Sequence, residues 1–266
     1  MSKKISSEDL KVLEALDEQA KVQENFLKQI MWNISRGNDV LSEKKPTAVI
    51  LGGQPGAGKS NILADIGEIA GKKSSEFIQI NGDVYRAWHP SLKEICQIAG
   101  ELHPTFTQPF VNRMVQASLD RALEEKKSFV VEGTFRTFET PHSTIMKAKD
   151  AGYSVFVGIK TCPKEVSKQR TIDRFEAEVQ AGIIGARPVD PSAHDKTVAE
   201  LPGNADRVLI ESKPDRFLVF NDNQVLFDSF KDKGMPSPLL KAELNQNEQT
   251  FRDSNPSIKN QKQKFK

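Results

Sequence analysis

The chain has 266 residues, which is enough for one large domain or two small ones. Its net charge of +2 is too small for the strong electrostatic field that indicates nucleic acid, a membrane surface or an acidic partner. Residues Met1–Leu10 are polar, no apolar run reaches the length of a membrane span, and Cys96 and Cys162 are far apart. We therefore expect a cytoplasmic protein without disulfides.

The N-terminal region, residues 1–44, is predicted to be a helical extension packed on the main domain. Ser6 or Ser7 can cap a helix, and acidic residues follow in its first turn. From Ser7 to about Ile34, apolar side chains recur at helical spacing, at Leu10, Leu13, Leu16, Ala20, Leu27, Ile30 and Ile34. A regulatory helix is the alternative, but no residue in this region requires it.

The central region, residues 45–231, alternates short apolar runs with helical patterns. The runs are Thr47–Leu51, Glu76–Ile80, Ser128–Val131, Ser154–Lys160 and Phe217–Phe220, and the helical patterns include Asn112–Lys126 and Lys164–Ala181. This alternation is typical of an α/β domain in which helices flank a mainly parallel sheet. The last segment, residues 232–266, is rich in Lys, Asn, Gln, Ser and Pro, which predicts a polar, flexible tail.

One motif in the central region carries specific chemistry. The pattern GxxxxGK[ST] lies between a predicted strand and a predicted helix and consists of Gly53, Gln54, Pro55, Gly56, Ala57, Gly58, Lys59 and Ser60. Its glycines let backbone N–H groups surround a polyphosphate, Lys59 places a positive charge on the β- and γ-phosphates, and Ser60 offers a hydroxyl to Mg²⁺. The motif predicts a P-loop that binds ATP and Mg²⁺; a chance match in a Gly-rich turn is the alternative.

A P-loop alone does not define the reaction, because motors, GTPases and kinases all use one. The Asn-Lys-x-Asp motif with which GTPases read guanine is absent from the sequence. The predicted strand Ser128–Val131 ends in Glu132-Gly133-Thr134 and not in the paired acidic residues that are usual in motors. These features favour a small-molecule kinase with a P-loop kinase fold.

Two carboxylates follow predicted strands, at the sheet edge where open α/β sheets bind ligands. Asp83 can accept the proton of an acceptor hydroxyl, or it can be a turn or cap residue in Asn81-Gly82-Asp83. Glu132 can bind the acceptor, hold Mg²⁺ through water, or pair structurally with Arg136 or Arg113. The sequence leaves these alternatives open for both carboxylates.

Three arginines are candidates for a cationic lid over the transferring phosphoryl group. Arg170 and Arg174 are four residues apart on one predicted helix face, and Arg187 lies in the loop Gly185–Pro188. Arginines in such a lid neutralise the negative charge that develops during phosphoryl transfer. The alternative is ordinary salt bridging to nearby acidic residues, namely Asp173, Glu176 and Glu178.

Taken in chain order, these segments resemble the zeta toxins, the kinase component of bacterial toxin–antitoxin pairs. The resemblance covers about Ala48 to Asn221. It is carried by Gly52–Ser60, Asn81–Asp83 with His89-Pro90, Asn112–Met114, Val131–Thr137, Thr171–Glu176, Ala186-Arg187 and His194-Asp195. An ordered set of this kind is more specific than any one of its motifs.

The resemblance implies an activity and a partner. Zeta toxins use ATP and Mg²⁺ to phosphorylate the 3′-hydroxyl of the amino sugar in UDP-N-acetylglucosamine, and the product blocks peptidoglycan synthesis. A small helical antitoxin protein obstructs their nucleotide site. The resemblance thus implies a UDP-sugar substrate and an antitoxin supplied as a separate chain, with no role for nucleic acid or a membrane.

The resemblance also implies residue roles. Asp83 would be the general base, and Lys59, Arg174 and Arg187 would stabilise the transferring phosphoryl group. The UDP-sugar would be contacted by Glu132, Thr134, Arg136 and Arg113. Two alternatives stay open: a P-loop kinase for another small alcohol or nucleotide-like acceptor, and a nucleotide-binding regulatory module without transfer activity.

Overall fold

The structure, a computed structural model, describes residues 5–36 and 40–246. Its helices are α1 (Ser7–Val22), α2 (Glu24–Ser35), α3 (Leu63–Ile69), α4 (Gly82–Arg86), α5 (Leu92–Ala99), α6 (His103–Glu124), α7 (Glu139–Asp150), α8 (Lys164–Gln180), α9 (Pro191–Arg207) and α10 (Ser237–Leu244). Its strands are β1 (Thr47–Gly52), β2 (Ile78–Ile80), β3 (Phe129–Glu132), β4 (Ser154–Lys160), β5 (Arg216–Phe220) and β6 (Val225–Asp228).

The chain forms two compact units. Of the described residues, the first unit comprises 5–36, 40–46, 75–131 and 174–188, and the second comprises 47–74, 132–173 and 189–246. These units are not the three consecutive segments expected from composition, and the segment boundaries at residues 44 and 231 stay predictions.

The first unit is mainly helical. Its strands β2 and β3 pair in parallel, with Ile78 opposite Phe129 and Ile80 opposite Val131. Helix α6 packs against α1, α2, α4 and α5. The long helix α6 is therefore the scaffold on which the N-terminal helices and α4 are placed.

The N-terminal region forms two helices where the sequence pattern predicts one. Ser6 caps α1 in a capping box with Asp9, as expected for one of the two candidate serines. The helix ends at Val22, and α2 begins at Glu24 after a break at Gln23. From the predicted stripe, Leu13 and Leu16 are buried against Ile95 and Ala99 of α5, whereas the stripe's two end residues, Leu10 and Ile34, are exposed.

The second unit contains four strands in the order β1-β4-β5-β6. The first three are parallel and β6 is antiparallel to β5. Every residue of β1 is buried, and α7 packs on β1 and β4. The predicted α/β class, with mainly parallel strands flanked by helices, is confirmed.

The sequence reasoning missed strand β6 for a physical reason. It is short, and its first residue, Val225, is exposed. The preceding residues, Asn221–Gln224, are polar and form a turn in which the Asn221 side chain accepts hydrogen bonds from the Asn223 and Gln224 backbone N–H groups. An apolar-run criterion does not detect such an edge strand.

The prediction of a flexible tail from residue 232 is wrong for its first part. Residues Ser237–Leu244 form α10, which packs on α9 and buries Leu240 and Leu244. The backbone N–H of Ser237 donates to the Asp206 carboxylate at the start of this helix. Two well-spaced leucines are enough to bury one helix face although the segment is polar on average. Residues 247–266 of the predicted tail lie outside the described residues.

Both cysteines are free thiols. Cys162 is buried, and burial raises the pKa of its thiol to about 12. Among the residues that the structure describes, no helix is both long enough and apolar enough to cross a bilayer.

Candidate functional site

The P-loop follows β1 in the second unit and leads through a 3-10 turn, Lys59–Ile62, into α3. Gly53 and Gly56 have φ angles of 141° and 81°, which L side chains rarely adopt. A Cβ atom at either glycine would lie 2.1 Å from a backbone carbonyl oxygen, that of Lys160 or of Ser167. Both glycines are therefore required for the loop to lie against β4 and α8.

The side chains of Gln54 and Lys59 in the loop are held by hydrogen bonds to residues of the second unit. The buried Gln54 side chain donates a hydrogen bond of 2.7 Å to the Cys162 carbonyl oxygen. The Lys59 ammonium group donates to the Gly53 carbonyl oxygen at 3.3 Å, so the lysine folds back over its own loop. This is the arrangement needed to place a positive charge over phosphates bound by the loop.

Ser60 and Glu132 are brought together although they are 72 residues apart in sequence. The Ser60 hydroxyl donates to Glu132 Oε1 at 2.9 Å. A hydroxyl and a carboxylate at this distance are oxygen ligands of the kind that Mg²⁺ takes, together with waters and substrate phosphates. The residues present thus fit a magnesium site that is completed by nucleotide. Within residues 5–36 and 40–246, the protein groups alone form no metal site of three or more His, Cys, Asp or Glu residues.

The segment after Glu132 contains a strained residue. Phe135 is buried and has a φ of 55°, the left-handed region, while its carbonyl oxygen accepts from the Asn204 side chain at 2.9 Å. Such a conformation costs a non-glycine residue on the order of 1 kcal/mol and recurs at functional sites. Its neighbours Thr134 and Arg136, both predicted substrate ligands, are respectively half-buried and exposed.

A cavity of about 770 Å³ lies beside the P-loop in the second unit. Gly56, Gly58 and Asn61 line it on the loop side, and Lys160, Arg170 and the β5–β6 hairpin residues 220–225 line it elsewhere. Arg170 donates to the Asp222 carboxylate at 2.7 Å, and the Lys160 ammonium group lies 2.8 Å from the same carboxylate. The lid candidate Arg170 therefore belongs to the wall of this cavity.

Asp83 lies in the first turn of α4 in the first unit, but it does not cap that helix. The cap is Asn81, whose side-chain oxygen accepts from the backbone N–H groups of Asp83 and Val84 at 2.9 and 3.4 Å. The Asp83 carboxylate instead accepts a hydrogen bond of 2.6 Å from Arg187. The capping alternative that the sequence leaves open for Asp83 is thus taken by Asn81.

Three arginines near Asp83 lower the pKa of its carboxyl group. Partial burial raises the pKa of Asp83, but the charges of Arg187, Arg86 and Arg174 outweigh burial and hold the pKa below its usual value of 3.8. The carboxylate is consequently ionised at neutral pH. A pocket of about 150 Å³ is lined by Asp83, Arg86, Arg174 and Arg187, so the predicted base and two of the three candidate lid arginines line one pocket.

Arg86 is a site residue that the sequence reasoning missed. Its side chain is buried and donates to Thr107 Oγ1, to the Pro104 carbonyl oxygen and to Gln108 Oε1 of α6. Burial and the nearby Arg187 charge lower the pKa of Arg86 to about 10. The only indication in the sequence that Arg86 belongs to the site is its position three residues after Asp83, about one helical turn away.

Two predicted site arginines have structural partners in the first unit. Arg113 donates to both carboxylate oxygens of Asp17 at 3.0 and 2.9 Å, and its Nε lies 3.3 Å from Glu24. Arg174 lies 3.6 Å from Glu178 one turn along α8. The alternative of ordinary ion pairing is therefore realised by Arg174, and the Arg113 contacts tie α6 to the N-terminal helices.

Comparison with sequence models of protein families identifies the family of this chain. A sequence model described as Zeta toxin matches residues 33–232. The chain belongs to the zeta toxin family. Toxin zeta of Streptococcus agalactiae is 30% identical over 209 residues, covering 77% of this chain and 71% of that protein. Toxin PezT of Streptococcus pneumoniae is 29% identical over 217 residues, covering 80% of this chain and 82% of that protein.

Solved structures show the same fold. The PezAT chromosomal toxin–antitoxin system of Streptococcus pneumoniae contains a chain that matches with a TM-score of 0.69 at 22% identity, covering 94% of this chain and 92% of that one. The complex AvrRxo1-ORF1:-ORF2 with ATP contains a chain that matches with a TM-score of 0.52 at 16% identity, covering 88% and 71%. The zeta-family relationship, with this kinase-like fold, supports a phosphotransferase of the toxin–antitoxin type.

Proposed function

We propose that this zeta-family protein is an ATP-dependent kinase that phosphorylates the 3′-hydroxyl of the amino sugar in UDP-N-acetylglucosamine or a related UDP-sugar. The observation that carries the proposal is the ionised Asp83 carboxylate among three arginines, in a chain that also has a complete P-loop. A regulatory module that only binds nucleotide has no use for such a carboxylate. The choice of a UDP-sugar rests on the resemblance of the motifs to the family.

The P-loop and its neighbours are proposed to hold ATP. Its backbone N–H groups and Lys59 bind the β- and γ-phosphates. Ser60 and Glu132 would hold Mg²⁺ with the phosphates, and the ion would neutralise part of their negative charge. The Ser60–Glu132 hydrogen bond supports this metal-side role for Glu132 over direct contact with the sugar. Thr134 and Arg136 are proposed to contact the UDP-sugar. Arg113 is proposed to contact it after the ion pairs of Arg113 with Asp17 and Glu24 break.

Asp83 is proposed to orient the acceptor hydroxyl and to take its proton as the oxygen attacks the γ-phosphorus. The pairing with Arg187 lowers the basicity of Asp83 in the present structure. If Arg187 moved from Asp83 to the phosphoryl oxygens, the Asp83 carboxylate would become more basic. The same movement would stabilise the negative charge that develops on the transferring phosphoryl group. Positioning and electrostatics of this kind account for most of the catalysis in phosphoryl transfer.

The test of the proposed activity is a substrate panel. The full chain is incubated with ATP, Mg²⁺ and a set of UDP-sugars, and the products are examined by mass spectrometry for one added phosphate. We expect phosphorylated UDP-N-acetylglucosamine. If another alcohol is phosphorylated and no UDP-sugar is, the protein is a kinase with a different acceptor. If ATP binds and no product forms, the result favours the regulatory module.

The family relationship also leads us to propose an antitoxin partner. The related PezAT system is a toxin–antitoxin pair. We expect expression of the free chain to arrest a growing bacterial host, and co-expression of a cognate helical antitoxin to relieve the arrest. The Asp83→Asn variant is the matched control, since it should fold without being toxic. Normal growth in the presence of folded, active wild-type protein would argue against a toxin role but not against kinase chemistry.

The lid arginines give a separate prediction. Arg174→Ala and Arg187→Ala should each lower the transfer rate on the order of a hundredfold or more, because each removes a cation that stabilises developing charge. Binding of the UDP-sugar, measured by calorimetry, should change far less. Arg36→Ala, at an exposed arginine of the first unit, is the control. Near-wild-type rates in both lid variants would make Arg174 and Arg187 ordinary salt-bridge residues.

A further inference from the structure

The three arginines near Asp83 differ in how firmly each one is held. Arg187 lies in a loop and donates to the Asp83 carboxylate itself at 2.6 Å. Arg174 lies 3.6 Å from Glu178 on its own helix, and 46% of its side chain is exposed. Arg86 is buried, and its guanidinium donates to three acceptors of α6. Of the three arginines, Arg86 is therefore the one whose position depends least on Asp83.

The acceptors that hold Arg86 are all uncharged. They are the Pro104 carbonyl oxygen at 3.2 Å, the Thr107 hydroxyl and the Gln108 side-chain oxygen at 2.8 Å. Because none of them is a carboxylate, they leave the positive charge of Arg86 to act on Asp83, which is one helical turn away and lines the same pocket. Although burial lowers the pKa of Arg86 to about 10, the group stays protonated at neutral pH.

We propose that Arg86 is a positioning residue that acts through Asp83: its fixed charge keeps the carboxylate ionised after Arg187 has moved to the phosphoryl group. The inference rests on the proposed function, in which the acceptor oxygen bonds to the γ-phosphorus as the bond to ADP breaks. The acceptor proton passes to an Asp83 oxygen in that step. Arg86 neither gives nor takes a proton.

The need for such a cation follows from the surroundings of Asp83. Partial burial raises the pKa of Asp83, whereas the charges of Arg187, Arg86 and Arg174 lower it. Once Arg187 has moved, only Arg86 and Arg174 oppose the effect of burial, and Arg174 is itself a proposed partner of the phosphoryl group. A protonated carboxyl group cannot take the acceptor proton. The fixed charge of Arg86 thus keeps the base functional during transfer.

Other titratable groups lie around Asp83 and Arg86. Glu178 lines the same pocket from α8. His103 of α6 and His89, which follows α4, are both buried, and burial lowers the pKa of each, that of His89 to about 4. Both imidazoles are therefore neutral at neutral pH. Because these groups also titrate at acid pH, the test has to observe the Asp83 carboxyl directly.

The test measures the pKa of the Asp83 carboxyl by ¹³C NMR on the full chain, with Asp83→Asn used to assign the signal. The background is Arg187→Ala, which removes the Arg187 contact without any substrate. Adding Arg86→Met should raise the pKa of Asp83 by about one unit or more, because a nearby opposite charge lowers a carboxyl pKa by roughly one to three units. Adding Arg86→Lys should largely prevent that rise, since lysine keeps the charge.

A second neutral variant guards against loss of the fold. Arg86→Gln removes the charge but keeps a polar side chain for the α6 acceptors, and it should raise the pKa of Asp83 as Arg86→Met does. Lys93→Met, at an exposed lysine of α5 in the same unit, is the matched control and should leave the pKa of Asp83 unchanged. Thermal unfolding of every variant checks that the fold persists.

The transfer rate gives a second readout with Arg187 intact. The acid limb of the kcat profile should move to higher pH by about one unit in Arg86→Gln and stay near the wild-type position in Arg86→Lys. A residue that only supports the shape of α4 would lower the rate at every pH and leave the limb in place.

An unchanged pKa of Asp83 in the folded neutral variants of Arg86 would overturn the inference and leave the proposed function standing. A raised pKa of Asp83 with an unchanged pH profile of transfer would support the electrostatic role of Arg86. That second result would count against Asp83 as the base, and so against the proposed mechanism.

Discussion

Lys59→Ala is expected to lower phosphoryl transfer on the order of a thousandfold or more, because the β- and γ-phosphates lose their fixed positive charge. In the structure the Lys59 ammonium group lies over the loop and donates to the Gly53 carbonyl oxygen. The loop backbone is shaped by its glycines and by Gln54, so the substitution should leave the cradle intact. The measurement is the initial rate of product formation under saturating acceptor.

The control for this variant is Lys147→Ala, at an exposed lysine of α7 in the same unit. It should transfer phosphate at the wild-type rate. Circular dichroism and thermal unfolding establish that both proteins are folded. Equal turnover in Lys59→Ala and wild type would remove the P-loop from the mechanism.

Asp83→Asn is expected to reduce transfer by roughly a hundred- to ten-thousandfold, the range that general-base assistance supplies. Asparagine keeps the shape and one hydrogen-bond acceptor for Arg187, but it cannot take the proton of the acceptor hydroxyl. Helix α4 should persist because its cap is Asn81. ATP and UDP-sugar should therefore bind nearly as before while product formation collapses.

Asp120→Asn, at an exposed aspartate of α6 in the same unit, is the matched control and should be fully active. The decisive comparison is nucleotide binding against product formation in the single variant Asp83→Asn. A fully active Asp83→Asn protein would identify Asp83 as a structural ion-pair residue. It would also remove much of the support for a zeta-type mechanism in this chain.

Local sequence was sufficient for the elements that carry the strongest patterns. The run Ser154–Lys160 is the strand β4 with the predicted bounds, and the pattern Lys164–Ala181 is α8 to within one residue. The P-loop was equally recognisable, because its glycines and Lys59 are required by backbone geometry and phosphate charge within one short segment. Such features are visible in sequence because the residues that define each pattern are close together along the chain.

The edge strand β6 and the C-terminal helix α10 were less predictable from sequence. Strand β6 has four residues and helix α10 has eight, which is too short to show a clear period. Each is stabilised by a partner: β6 pairs with β5 through backbone hydrogen bonds, and α10 packs on α9. Burial against a distant segment can overcome weak local preference. The same holds for Glu243, a glutamate in a polar segment that is buried and bonded to Asn221.

The sequence alone determined the phosphate-binding loop, the α/β class and the separate candidates Asp83, Arg174 and Arg187. Only the tertiary structure decided which of them share a site. Asp83 and Arg187 are 104 residues apart and yet form a 2.6 Å ion pair, while Arg170 pairs with Asp222 beside the P-loop. The reason is that electrostatic interactions depend on distance in space, and the fold sets that distance through packing between segments remote in sequence.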